Sequence, residues 1–251
     1  MNLYKDFSKV LALVFMFGAF PALAESSEGI KNLEGFFVGV DAVYRHAKVG
    51  HDIWDNGIIY PNGKTWHDGE QYNAWHRCAD LVPSVNVGYS YFCNNWYVGL
   101  SADVAFGKKT EGDVTLSRAN GHSKLGGISY GIKAKGGYYF EDLNSVIYGI
   151  AGVKWRNADF RVAMSNPLLR KYETSSTSLK LNNPLFVVGV GIERPIYQKL
   201  SFSAEYEYAW RNSKGDALAD YANGNLKVGT FAKTKQSLKE HSFKIGLKYH
   251  F

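Results

Sequence analysis

Glu205 and Glu207, two residues apart, and Lys244 and Lys248, four apart, are the charged residues whose spacing best suits chemistry. Two carboxylates on one face of a strand are the groups that general acid–base catalysis uses. The same spacing also suits ion pairs with the lysines, and unpaired buried charge is costly, so pairing accounts for their placement. His51, His67 and His76 stand among Asp52, Asp55, Asp68 and Glu70, which are zinc or copper ligand types. They lack the tight spacing of a metal motif, so this stretch reads as a solvated loop with no metal. The Gly189-Val190-Gly191 stretch is followed by Pro195 and by no helix-forming segment, so it is not a dinucleotide loop. No residue set points to a cofactor or to a nucleic-acid partner.

Whatever positions these residues begins after a leader. Residues 1–24 carry Lys5 and Lys9, then the apolar run VLALVFMFGAF, then Pro21 and Ala22-Leu23-Ala24. This is the grammar of a secretory signal peptide, with Ala22 and Ala24 at the small positions of a cut before Glu25. The run is too short for a bilayer-spanning helix, which takes about 20 residues. Residues 25–33 then read as a short periplasmic segment ahead of a domain spanning 34–251. The chain carries a net charge of +6 and its mean hydropathy is −0.25. Such values suit a soluble protein, but membrane-spanning strands alternate in polarity and escape a hydropathy scan.

Two-residue alternation recurs eight times, at 36–45, 82–92, 96–107, 127–140, 145–162, 185–194, 200–211 and 241–251. In the first, Phe36, Val38, Val40, Ala42 and Tyr44 share one face, opposite Phe37, Gly39, Asp41, Val43 and Arg45. In the last, Phe243, Ile245, Leu247, Tyr249 and Phe251 oppose Lys244, Gly246, Lys248 and His250. The segment 145–162 breaks phase, with Val146, Tyr148 and Ile150 on one face and Val153 and Trp155 on the other, so a bulge is expected there. Connections alternate long and short: 48–81, 93–95, 108–126, 141–144, 163–184, 195–199 and 212–240. Eight strands with this loop pattern predict an all-β fold, an antiparallel up-and-down eight-stranded transmembrane β-barrel with both termini on the periplasmic side.

A soluble sandwich or lipocalin-like barrel would turn the apolar face inward. Here the charged face is also the glycine-rich one, as a narrow barrel interior requires. Aromatic residues gather toward both strand ends: Phe36, Tyr91, Trp96, Tyr138, Phe140, Tyr249 and Phe251 at one, Tyr44, Phe106, Tyr208, Trp210 and Phe243 at the other. Such bands suit the two membrane interfaces.

The chain's last strand resembles the C-terminal assembly signal of outer-membrane barrels, with Lys244, Gly246, Tyr249 and the terminal Phe251 supplying its elements. Residues 34–251 as a whole resemble the small eight-stranded outer-membrane barrels of the OmpA-barrel, OmpX and Opacity type. The resemblance implies recognition by the barrel-assembly machinery and contact with outer-membrane lipid and lipopolysaccharide. It implies no periplasmic cell-wall-binding domain, since the sequence stops at Phe251. Lipid A deacylase barrels place a His and a Ser two apart on a strand face, whereas His122 and Ser123 here are adjacent.

Inward charges on the clear strands comprise Asp41, Asp103, Glu193, Glu205 and Glu207 against Arg45, Lys133, Lys135, Lys244 and Lys248. An eight-stranded interior is only wide enough for side chains, so these are expected to form a paired plug. Asp103 neighbours the strand of Lys133 and Lys135, and Glu205 and Glu207 neighbour that of Lys244 and Lys248. Function then falls to the long loops. Trp54, Trp66 and Trp75 suit partner contact. Lys108, Lys109, Arg118, Lys124, Arg170, Lys171, Lys180, Lys214, Lys227, Lys233, Lys235 and Lys239 give a basic rim suited to lipopolysaccharide phosphates or to host or envelope polyanions. The expected function is a non-enzymatic surface protein for adhesion or surface interaction, with a small passive pore or a lipid A-modifying enzyme as alternatives. Cys78 and Cys93 flank one predicted strand. Extended chain between them exceeds the ~7 Å Cα separation a disulfide allows, so they are not expected to bond to each other.

Overall fold

Alternating residues can bury one face only if their strands find partners on both edges, and closure into a barrel supplies every edge with one. The computed structural model describes residues 33–59, 65–66, 71–115, 119–164, 176–181, 184–223 and 226–251. Its strands are β1 (Gly35–Ile59), β2 (Thr65–Trp66), β3 (Gln71–Cys93), β4 (Trp96–Ala105), β5 (Thr110–Thr115), β6 (Ala119–Phe140), β7 (Ser145–Met164), β8 (Ser176–Leu181), β9 (Leu185–Tyr197), β10 (Leu200–Asn223) and β11 (Leu226–His250). Eight long antiparallel strands pair in the order β1, β3, β4, β6, β7, β9, β10, β11, and β11 returns to β1. The result is a closed antiparallel eight-stranded barrel. Short β5 pairs with β6 beyond the end of β4, β8 pairs with β7 beyond the start of β9, and β2 pairs with the tip of β1.

The seam is made by the two ends of the domain. Phe37 faces His250, and the register runs without a break to Asp55 against Ala232. Phe251 adds one more bond, from its backbone N–H to the Phe36 carbonyl at 2.9 Å. Three tight turns join strands at this end, at 94–95, 141–144 and 198–199. Each holds a residue of positive φ, Asn94 (54°), Asn144 (46°) and Gln198 (28°). Asn tolerates the left-handed region better than most residues, which suits it to such corners.

Side chains alternate strictly along β4, buried inward and exposed outward. Phe36, Val87, Trp96, Leu100, Ile132, Val190 and Phe251 are among the large apolar residues on the outside. Arg45, Lys133, Lys154, Glu207 and Lys248 are fully buried inside. A water-soluble protein would invert this arrangement, whereas a lipid-facing barrel requires it. Aromatic pairs collect near both rims. Trp96–Tyr138 (5.4 Å) and Tyr249–Phe251 (5.3 Å) lie at the tight-turn end; Tyr130–Trp155 (5.4 Å) and Tyr208–Trp210 (5.6 Å) lie further along.

Two sequence expectations are corrected. The long connections are largely sheet, because β1, β10 and β11 run for 25, 24 and 25 residues. Pairing continues past the apolar segments because each extended strand still has an extended neighbour to bond. Second, β7 keeps one phase: Val146, Tyr148, Ile150, Lys154, Arg156 and Ala158 all point inward. The irregularity belongs to its neighbour β6, where residues between Leu125 and Ser129 face the shorter stretch between Ala158 and Arg156. The signal segment, with Ala22, Ala24 and Glu25, and the remainder of the N-terminal segment up to residue 32 lie outside the described residues.

Candidate functional site: the lumen and its two ends

Charges line the middle third of the barrel because every strand there points an acid, a base or a small polar residue inward. They fall into three tiers. Nearest the tight turns, Lys135 Nζ lies 2.5 Å from Glu205 Oε1, and Lys248 Nζ lies 2.6 Å from Glu193 Oε2 and 3.8 Å from Glu205. Tyr148 donates to Glu205 at 2.7 Å, Ser201 donates to Glu193 at 2.6 Å, and His250 Nε2 lies 2.9 Å from Glu193.

In the middle tier Lys133 bridges Asp103 and Glu207, at 2.5 Å to each. Lys244 meets the same two acids at 3.3 and 2.9 Å. Two lysines and two carboxylates from β4, β6, β10 and β11 thus neutralise one another. The third tier joins Arg45, which binds Asp80 through both forks of its guanidinium, to Arg156, which binds Glu240 and lies 3.6 Å from Asp80. Lys154 adds a second bond to Glu240 at 2.6 Å, and Arg45 donates to Ser129 (3.2 Å) and the Gly127 carbonyl (3.1 Å).

Apolar layers close both ends of this charged column. Leu33, Phe92, Tyr97, Tyr139, Val146, Tyr148 and Ile150 pack at the tight-turn end. Leu33 belongs to the stretch expected to lie ahead of the domain, yet it is buried and its carbonyl accepts from Ser90 at 2.5 Å. Ala47, Val49, Leu125, Ala158, Leu185, Val187, Ala209 and Leu238 pack beyond the third tier, with Cys78 against them.

Several pairings differ from those expected from strand adjacency. Asp103 binds Lys133 of the next strand, as expected, but also Lys244, and Lys135 reaches across to Glu205. Asp41 accepts from Asn86 at 2.7 Å. Long side chains cross a narrow lumen, so a partner need not sit on the next strand. Asp80, Lys154, Arg156 and Glu240 were missed because Asp80 and Glu240 fell in presumed loops and Lys154 and Arg156 in a strand of broken phase. Counting on in steps of two would have found them: Asp80 follows Ser84 and Val82, and Glu240 follows Lys244 and Ser242. Cys78 and Cys93 both lie on β3 and are free thiols.

Gly246 is fixed by this geometry. A methyl group there would collide with the Asp41 carboxylate and meet the Val40 carbonyl at 2.7 Å. Its neighbours Lys244 and Lys248 point into the lumen, while Tyr249 and Phe251 are exposed outside.

The closed barrel has apolar outer walls and an ion-paired interior, and the family model of the outer membrane protein beta-barrel domain matches residues 10–251. The chain belongs to that family. Outer-membrane localisation follows from membership. No curated protein matches the sequence. Among solved structures, the attachment invasion locus protein Ail of Yersinia pestis, in complex with the heparin analogue sucrose octasulfate, is 17% identical, with 82% of this chain and 99% of that one covered and a TM-score of 0.33. The outer membrane protease OmpT from Escherichia coli is 11% identical over 87% and 97% of the two chains, with a TM-score of 0.43. The outer membrane protein OprG from Pseudomonas aeruginosa is 16% identical over 87% and 97%, at 0.38. At such values the likeness says nothing of what this member of the family binds.

Proposed function

We propose that this outer-membrane β-barrel acts through its outer surface, as a non-enzymatic surface protein that contacts polyanions or other envelope and host partners. The observation that carries this is the filled lumen: three ion-paired tiers lie between two apolar layers. A continuous water path through it would have to break buried charge pairs, which is strongly unfavourable. Glu205 and Glu207 each sit against lysines, an arrangement that suits a strut better than an acid–base pair. The tight turns and both ends of the domain face the periplasm in this reading. The long strands then project outward, since a tilted strand needs only ~9 to 11 residues to cross.

The projecting end carries Lys214, Lys227, Lys233 and Lys235 on β10 and β11. Retention of the folded barrel on a heparin column at low salt, lost when these four lysines are changed to glutamine, is the expected result. Absence of retention at low salt overturns polyanion contact. Capture of the same envelope or host partners by a version with shortened outer ends overturns the wider surface-interaction reading.

A further inference from the structure

On β3, β1 and β11 the outward residues contain no Asp, Glu, Lys or Arg over a long rise from the tight-turn end. They read Tyr91, Tyr89, Val87, Val85, Pro83, Leu81 and Ala79; Phe36, Val38, Val40, Ala42, Tyr44 and His46; Phe251, Tyr249, Leu247, Ile245, Phe243 and His241. The first full charges then arrive on all three strands in a single row. Lys48 stands directly across from Arg77 on one side and from Lys239 on the other. Arg77 and Lys239 are exposed and Lys48 is half-buried.

Three like charges side by side across a sheet repel one another, so the row lowers its energy by holding an anion. Height identifies the anion. Twelve residues separate Phe36 from Lys48, roughly 30 Å along the barrel axis at ordinary strand rise and tilt, just past an apolar band of about 25 Å. That is the level of lipid headgroups. Trp75 is exposed and lies beside the row, with Lys48 Nζ 3.8 Å from its ring centre, and Trp210 stands across from Lys239. Indoles at this depth suit the interface between tails and headgroups. The acids nearest along the outer wall face bases of their own: Asp52 stands across from Lys235, and Glu111 pairs with Lys124 at 2.7 Å.

We infer that Lys48, Arg77 and Lys239, flanked by Trp75, form a binding site on the outer wall for the phosphates of a phosphorylated glycolipid of the outer leaflet, lipopolysaccharide. The inference depends on the outward direction of the long strands and not on any contact with soluble polyanions.

The test uses the folded full-length barrel in neutral detergent, with thermal unfolding followed by gel mobility while diphosphorylated or fully dephosphorylated lipid A is titrated in. Diphosphorylated lipid A should raise the wild-type midpoint, and the dephosphorylated form should not. Lys48→Gln/Arg77→Gln/Lys239→Gln should need about tenfold or more lipid A for the same rise. Lys199→Gln, exposed at the 198–199 turn on the opposite end of the barrel, should respond as wild type. Equal stabilisation of wild type by both lipids, or an undiminished response of the row variant, overturns the site. Loss of heparin retention by the row variant with its lipid A response intact assigns the row to soluble polyanions and also overturns it. Should the triple variant fail to fold, the wild-type comparison of the two lipids still decides, and Arg77→Gln against Arg77→Lys supplies the variant arm.

Discussion

Lys133 Nζ on β6 lies 2.5 Å from Glu207 Oε1 on β10, and the two strands face each other across the lumen with β7 and β9 between them. The bond is a strut across the lumen. Its value depends on what remains when one end is removed. Glu207→Gln leaves Lys133 and Lys244 sharing Asp103 alone, and should lower stability by on the order of 3 kcal/mol. Lys133→Met with Glu207→Leu leaves Asp103 paired to Lys244 and should recover most of that loss. Unfolding in detergent, followed by gel mobility, measures both; equal loss in the single and double variants would deny the strut. Lys244→Ala should lower the melting temperature in the same assay, and an unchanged melt would remove Lys244 from the network.

Planar bilayers test the filled lumen directly. The folded barrel should give no large, steady single-channel conductance, because the apolar layers around Tyr97 and Leu238 stand in series with the ion pairs. A stable open level across many insertions would restore the pore reading.

Cys93 ends β3 beside the 94–95 turn and is exposed, whereas Cys78 packs against an apolar layer. With the tight turns facing the periplasm, a membrane-impermeant maleimide should label Cys93 only after the outer membrane is opened. Labelling in intact cells would place the tight turns outside and reverse the orientation.

Removal of Phe251 deletes the hydrogen bond to Phe36 and one exposed aromatic of the rim. The truncated chain is expected to be exported yet poorly inserted, with most of the protein protease-sensitive in the periplasm. Normal assembly without Phe251 would show that Lys244, Gly246 and Tyr249 suffice for recognition, or that no such signal operates here.

Gly246→Val should destabilise the barrel by several kcal/mol through overpacking, since the Val40 carbonyl is backbone and cannot move aside cheaply. A thermal midpoint within a degree of wild type would mean that β1 and β11 can separate slightly at the seam.

Eight alternating segments, the inward and outward faces of all but 145–162, and the acids and bases of Asp41, Arg45, Asp103, Lys133, Lys135, Glu193, Glu205, Glu207, Lys244 and Lys248 were legible in the sequence alone. Alternation is a local property, and the pleat converts it into two faces whatever the strand's neighbours are. Tertiary structure decided the rest. Which acid meets which base depends on side chains crossing a closed lumen, so Lys135 finds Glu205 and Asp103 finds Lys244. How far each strand runs depends on whether its neighbour runs too, which is why Asp80 and Glu240 lie in the sheet. The row of Lys48, Arg77 and Lys239 exists only through register, because residues 48, 77 and 239 become neighbours when β11 closes on β1 and β1 pairs with β3.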